Sequence, residues 1–126
     1  MKTRSLRESF RCAIEGVLYV LETERNMMLH FFAAALTLLV AALFRVTCLE
    51  LACLTLTISV VLVCELANTA LEILCDIVCA DIEPRIRRVK DIAAGAVLVS
   101  AVSATIVGIL VLGPRVIWQT RWILGK

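Results

Sequence analysis

Four residues carry the chemistry that this sequence can do: Glu65, Asn68, Glu72 and Asp76. They fall at i, i+3, i+7 and i+11, which stacks all four on one face of a helix with 3.6 residues per turn. They close a long apolar run, in the stretch Cys64-Glu65-Leu66-Ala67-Asn68-Thr69-Ala70-Leu71-Glu72-Ile73-Leu74-Cys75-Asp76. Ionisable groups in or beside hydrocarbon are expensive to hold, so such a stripe marks a functional site by default. The structural alternative is a polar seam that only holds helices together. Four aligned groups favour function over it.

The residue types narrow the chemistry. Several carboxylates with an amide and Lys90 suit Mg²⁺ carrying phosphates, because Mg²⁺ prefers oxygen ligands and often shares them with a nucleotide. A half-desolvated carboxylate such as Glu65 is a candidate general base. Together these parts point to phosphoryl transfer to an alcohol at the membrane surface. No P-loop supports it. Gly108 to Gly113 has the glycine spacing of one, but Pro114-Arg115 follows where Lys-Ser/Thr is needed.

The elements that must position these groups are membrane elements. The chain has 126 residues, 61% of them hydrophobic, which suits a single membrane domain. A net charge of +2 is too small to argue for nucleic acid. The 26 residues before the first apolar run mix acids and bases, and no signal peptide is expected. The six cysteines show no CxxC pair and no Cys/His metal spacing, and read as packing residues.

Residues 5–22 predict an amphipathic helix, with Leu6, Phe10, Ala13, Ile14, Val17, Leu18 and Leu21 recurring at steps of three and four. It should lie in the headgroup plane. Residues 27–44 are a first span of about 27 Å, interrupted only by His30 and Thr37. Arg45 to Glu50 forms a charged hinge, so the second span, 51–79, returns antiparallel. Counted from Leu51, Glu65 sits about 21 Å along the axis, with Glu72 and Asp76 at about 32 and 38 Å. The stripe therefore climbs out of the membrane. Residues 80–91 are a charged loop or short helix on the cytoplasmic side, with Pro84 breaking the preceding helix. Residues 92–112 make the third span, where Ala96, Ser100, Ala104 and Gly108 form a row of small residues that allows close helix approach. Beyond Gly113-Pro114, Trp118 and Trp122 with Arg115, Arg121 and Lys126 suit an interfacial anchor.

Basic residues orient the chain. Lys2, Arg4, Arg7, Arg11, Arg25, Arg85, Arg87, Arg88 and Lys90 share one side, against Arg45, Arg115, Arg121 and Lys126 on the other. That bias places the N-terminus and the stripe in the cytoplasm. There the stripe should meet Glu22, Glu24, Arg25 and Asn26 together with Lys90 and Asp91. Three thin helices cannot enclose so many polar groups, so a homo-oligomer with sites between subunits is expected.

Three blocks then carry a resemblance. Glu65 to Glu72 with Asp76 looks like the ELxNTAIE…D signature of the bacterial integral-membrane diacylglycerol kinase/undecaprenol kinase family. Lys90-Asp91-Ile92-Ala93-Ala94-Gly95-Ala96-Val97 resembles its KDxAAGAV block, and Glu24-Arg25-Asn26-Met27 with His30 its ERNxxxH entry. The resemblance runs from about Phe10 to Gly108. It implies an all-α homotrimer with shared sites in the bacterial plasma membrane, a surface helix, three spans per subunit, and ATP-Mg²⁺ as donor. Carried over, Glu65 would be the base that deprotonates the lipid hydroxyl. Glu24 and Glu72 would hold Mg²⁺ on the phosphates, and Asn68 would orient groups around them. Lys90 would contact the phosphates, while Asp76 and Asp91 would line the nucleotide site. The chain departs from many relatives at Glu83, where they carry His, and nothing in Ser5 to Arg11 matches their N-terminal nucleotide contacts. Its ERNxxxH form resembles the Gram-positive-type members, which leans the substrate toward undecaprenol.

A small transporter or proton-conducting oligomer is the competing class, with Glu65 and Glu72 as a relay. It would need polar groups along the whole path, and the acids cluster at one face.

Overall fold

The computed structural model describes residues 5–78, 83–123 and 125. Expectations attached to Lys2, Arg4, Cys79, the Trp122 side chain and Lys126 lie outside the described residues. The described chain is all helical: α1 Leu6–Thr23, α2 Arg25–Leu43, α3 Cys48–Val78 and α4 Pro84–Ile123.

Each helix begins for a local reason. Ser5 caps α1 in a reciprocal box, its hydroxyl accepting from Glu8 N–H while the Glu8 carboxylate accepts from Ser5 N–H. Ser5→Ala is expected to destabilise that first turn by about 1 kcal/mol, seen as faster amide exchange over residues 6–9. Glu24, in extended conformation, separates α1 from α2, and its side chain makes no cap bond. α2 ends at a hinge where Arg45 takes a positive φ of 49°, a left-handed conformation uncommon outside glycine. Thr47 then caps α3: its N–H donates to Glu50 at 2.7 Å and its hydroxyl accepts from Glu50 N–H at 3.3 Å.

The structure extends two of the expected boundaries. Residues 84–91, read as a loop or short helix, form the first turns of α4. Pro84 opens that helix, because a first-turn residue needs no N–H donor. At the other end, Gly113-Pro114 does not terminate the span, and α4 continues through Pro114 to Ile123. Pro114 removes one internal hydrogen bond, yet the helix resumes beyond it.

α3 and α4 form the principal pair, with α2 packed along α3 and α1 touching α2 and α3. The core is thin: Val20, Met27, Ala41, Leu54, Val61, Cys75, Ala93 and Val97. Large apolar side chains such as Leu39, Val63, Leu98 and Leu110 remain uncovered. α2, α3 and α4 are each long and apolar enough to cross a bilayer. Their hydroxyls do not contradict that. Thr37, Thr55, Thr57, Ser59, Ser103 and Thr105 each donate to the carbonyl four residues earlier, so the helix satisfies its own polar side chains.

Candidate active site

The stripe on α3 is graded in depth. Glu65 is 2% exposed and Asn68 9%, Glu72 is half-buried and Asp76 is exposed. Burial against the other helices thus decreases along the stripe from Glu65 to Asp76.

Two of its buried oxygens are unsatisfied. Among the described residues, neither Glu65 Oε2 nor Asn68 Oδ1 has a hydrogen-bond partner. Buried polar atoms are rarely left so, and each asks for an explanation by a missing ligand or partner. Asn68 has directed its other end inward along the stripe, donating from Nδ2 to Glu72 Oε1 at 3.1 Å. Its carbonyl oxygen is left over as an acceptor. Beside them Thr69, 2% exposed, donates to the backbone carbonyl of Glu65.

Other helices bring charge to this face. Among the described residues α1 and α2 both pack on α3, so the α1–α2 junction at Glu24 stands beside the helix that carries the stripe. Lys90 of α4 donates from Nζ to Asp76 Oδ1 at 2.5 Å, and it also feels the charge of Glu72. The structure thus pairs Lys90 with Asp76 and Asn68 with Glu72, and packs α1 and α2, which flank Glu24, against α3. Asp91 is exposed, and no bond ties it to the stripe among the described residues. Glu22, Arg25 and Asn26 are also exposed.

His30 and Thr69 are neighbours of the site to which sequence reasoning assigns no role. Each falls within a block that carries the resemblance, His30 closing the ERNxxxH entry and Thr69 following Asn68 in the stripe's signature.

The donor set bears on a metal. Among the described residues no three His, Cys, Asp or Glu side chains stand close enough to hold an ion by themselves. A closed protein cage is thus not built. Mg²⁺ bound with phosphates needs only one or two carboxylates. Glu72, the Glu24 carboxylate unused in capping, and the spare Asn68 oxygen are hard donors of the right kind. They fit.

Comparison with known proteins follows the same direction. Residues 11–112 match the family model described as prokaryotic diacylglycerol kinase. Over 105 residues the chain is 39% identical to a diacylglycerol kinase of Synechocystis sp., covering 82% of this chain and 60% of that protein. Over 108 residues it is 35% identical to an undecaprenol kinase of Bacillus subtilis, covering 86% of this chain and 88% of that protein. The match thus spans less than two thirds of the cyanobacterial relative's length but most of the Bacillus one.

Proposed function

This chain belongs to the prokaryotic diacylglycerol kinase family, and from that premise we propose that it transfers the γ-phosphoryl group of ATP to the hydroxyl of a membrane lipid. The observation that carries the reading is the graded stripe, with one acid buried and unsatisfied at its deep end and an acid–lysine pair at its wet end. A kinase acting on a lipid needs that polarity, since the acceptor comes from hydrocarbon and the donor from water.

Each residue then has a task. Glu65 takes the proton of the lipid hydroxyl as that oxygen attacks phosphorus, and the bond to ADP breaks. Asn68 holds Glu72 in place and offers its second oxygen to the groups around the phosphates. Lys90, steered by Asp76, meets the phosphate charge, while Asp76 and the exposed Asp91 would line the nucleotide site. Glu24 and Glu72 would hold Mg²⁺, which when bound neutralises charge on the phosphates.

The lipid's hydrocarbon has a place in this scheme. A cleft of about 440 Å³ runs between α2, α3 and α4, lined by Ala33, Leu54, Ile58, Val61 and Ala104, with His30 at one end. Val61, one turn before Glu65 on α3, lines the same cleft, so a chain in it would bring its headgroup toward the base. Undecaprenol is the favoured acceptor, from the Glu24-Arg25-Asn26 entry with His30 and from the Bacillus relative's fuller coverage.

The assembly is a homotrimer in the bacterial plasma membrane, with the N-terminus and the site on the cytoplasmic side. Uncovered apolar faces and two orphaned oxygens support further subunits completing each site. α1 lies on the surface, with Leu6, Phe10, Ile14 and Leu18 turned into the headgroup region.

The test uses the purified full chain in nanodiscs, with labelled ATP, Mg²⁺ and either undecaprenol or diacylglycerol. Label should enter lipid, faster with undecaprenol. No transfer to either lipid would sink the kinase reading, and faster labelling of diacylglycerol would sink the substrate preference.

A further inference from the structure

α3 and α4 are joined by charge at both ends. At the cytoplasmic end Lys90 meets Asp76. At the other, Arg115 closes on Glu50 with both arms of its fork, Nη2 to Oε2 at 2.7 Å and Nε to Oε1 at 3.4 Å. Its Nη1 also donates to the carbonyl of Arg45 at 3.5 Å, at the hinge residue with positive φ. The same Glu50 carboxylate accepts from Thr47 N–H and from the Thr47 hydroxyl. One arginine thus grips the hinge, the cap of α3 and α4 together.

The separations match. Glu50 to Asp76 is 26 residues, about 39 Å of helix, and Lys90 to Arg115 is 25 residues, about 37.5 Å. Two antiparallel helices can satisfy both pairs in one register only, because a slip of one turn, about 5.4 Å, would part both at once. Between the pairs no hydrogen bond crosses from α3 to α4 among the described residues. Ala93, Val97 and Ser100 are buried on α4, and a row of small residues at four-residue spacing would tolerate a slip by one turn. In lipid no hydrophobic force selects among such registers. Charge must.

We propose that the Glu50–Arg115 pair is a register lock that sets the height of Lys90 against Asp76 and Glu72, about 40 Å away at the other end of the helices. Arg115 is a positioning residue, acting through α4 on the groups that meet the phosphates. It lies three residues past the stretch 11–112 matched by the family model. The effect on ATP rests on the kinase reading; the effect on register does not.

The experiment has two readouts on the full chain in nanodiscs. Spin labels are attached through genetically encoded ketone side chains at Val78 and Arg87, both exposed, so that the native cysteines stay. Arg115→Met, which keeps the stem and removes the charge, should shift or broaden the label distance by about one turn, roughly 5 Å. Arg115→Lys should restore most of the narrow distribution. Without labels, Arg115→Met should raise KM for ATP about fivefold or more and leave KM for the lipid within twofold. Glu50→Gln, which keeps an acceptor for the Thr47 cap, should do the same, and the double variant should be no worse than either single one. An unchanged label distance in Arg115→Met overturns the lock, whatever the activity. A shifted distance with KM for ATP unchanged overturns its link to the nucleotide. Wild-type protein that transfers no phosphate defeats the kinase reading instead, leaving the distance measurement to decide the lock.

Discussion

Glu65→Gln lowers lipid phosphorylation by about 10²–10⁴-fold, the usual contribution of a positioned general base, while the helices stay folded. The substitution is nearly isosteric, so the packing around a side chain only 2% exposed is kept. What changes is the ability to accept a proton. Glu65 Oε2 has no partner among the described residues, so replacing it does not break a bond that holds helices together. A structural acid would behave in the opposite way. Removing its charge from a buried place would alter stability and leave the chemical step alone. Single-turnover transfer of labelled phosphate, on protein matched by size-exclusion profile and helical content, separates the two. A Gln variant within about tenfold of wild type would remove Glu65 from the role of base. Glu65→Asp, which withdraws the carboxylate by one methylene, should fall between them, because the group is kept and its reach is lost.

Much of this site can be read from local spacing, because helices make it so. The 3.6-residue period puts Glu65, Asn68, Glu72 and Asp76 on one face of α3, and their burial against the other helices falls in that order. The three spans are equally legible, since about 20 apolar residues is a demand of bilayer thickness. What escapes is set by residues far apart or by helix ends. Pro84 reads as a breaker of the preceding helix, and that reading hides that it opens the next one, where a first-position proline loses nothing the helix would have used. Pro114 interrupts one bond in a helix long enough to continue. The Glu50–Arg115 bond joins residues 65 apart, and no periodicity within a helix announces such a pair.

Glu72→Gln separates the metal-holding role from that of the base. It raises the Mg²⁺ concentration needed for half-maximal rate by about tenfold or more, and excess Mg²⁺ recovers part of the lost turnover. The argument rests on what the amide keeps and loses. The new side chain would retain a carbonyl oxygen able to accept from Asn68 Nδ2, now 3.1 Å from Glu72 Oε1, so the local arrangement survives. It would lose the negative charge, which supplies most of a hard cation's attraction to a protein ligand. Glu65→Gln, in contrast, should lower the rate by the same factor at every Mg²⁺ concentration, since a missing proton acceptor is not replaced by metal. Binding measured without turnover gives the independent check. By calorimetry, Glu72→Gln should weaken ATP binding in Mg²⁺ and leave binding in EDTA no weaker, because without the metal the lost charge beside Lys90 would only have repelled phosphates. If both conditions weaken equally, Glu72 acts by shaping the stripe and holds no ion. If neither weakens, the cation is held elsewhere, and Glu24 with the spare oxygen of Asn68 becomes the set to test.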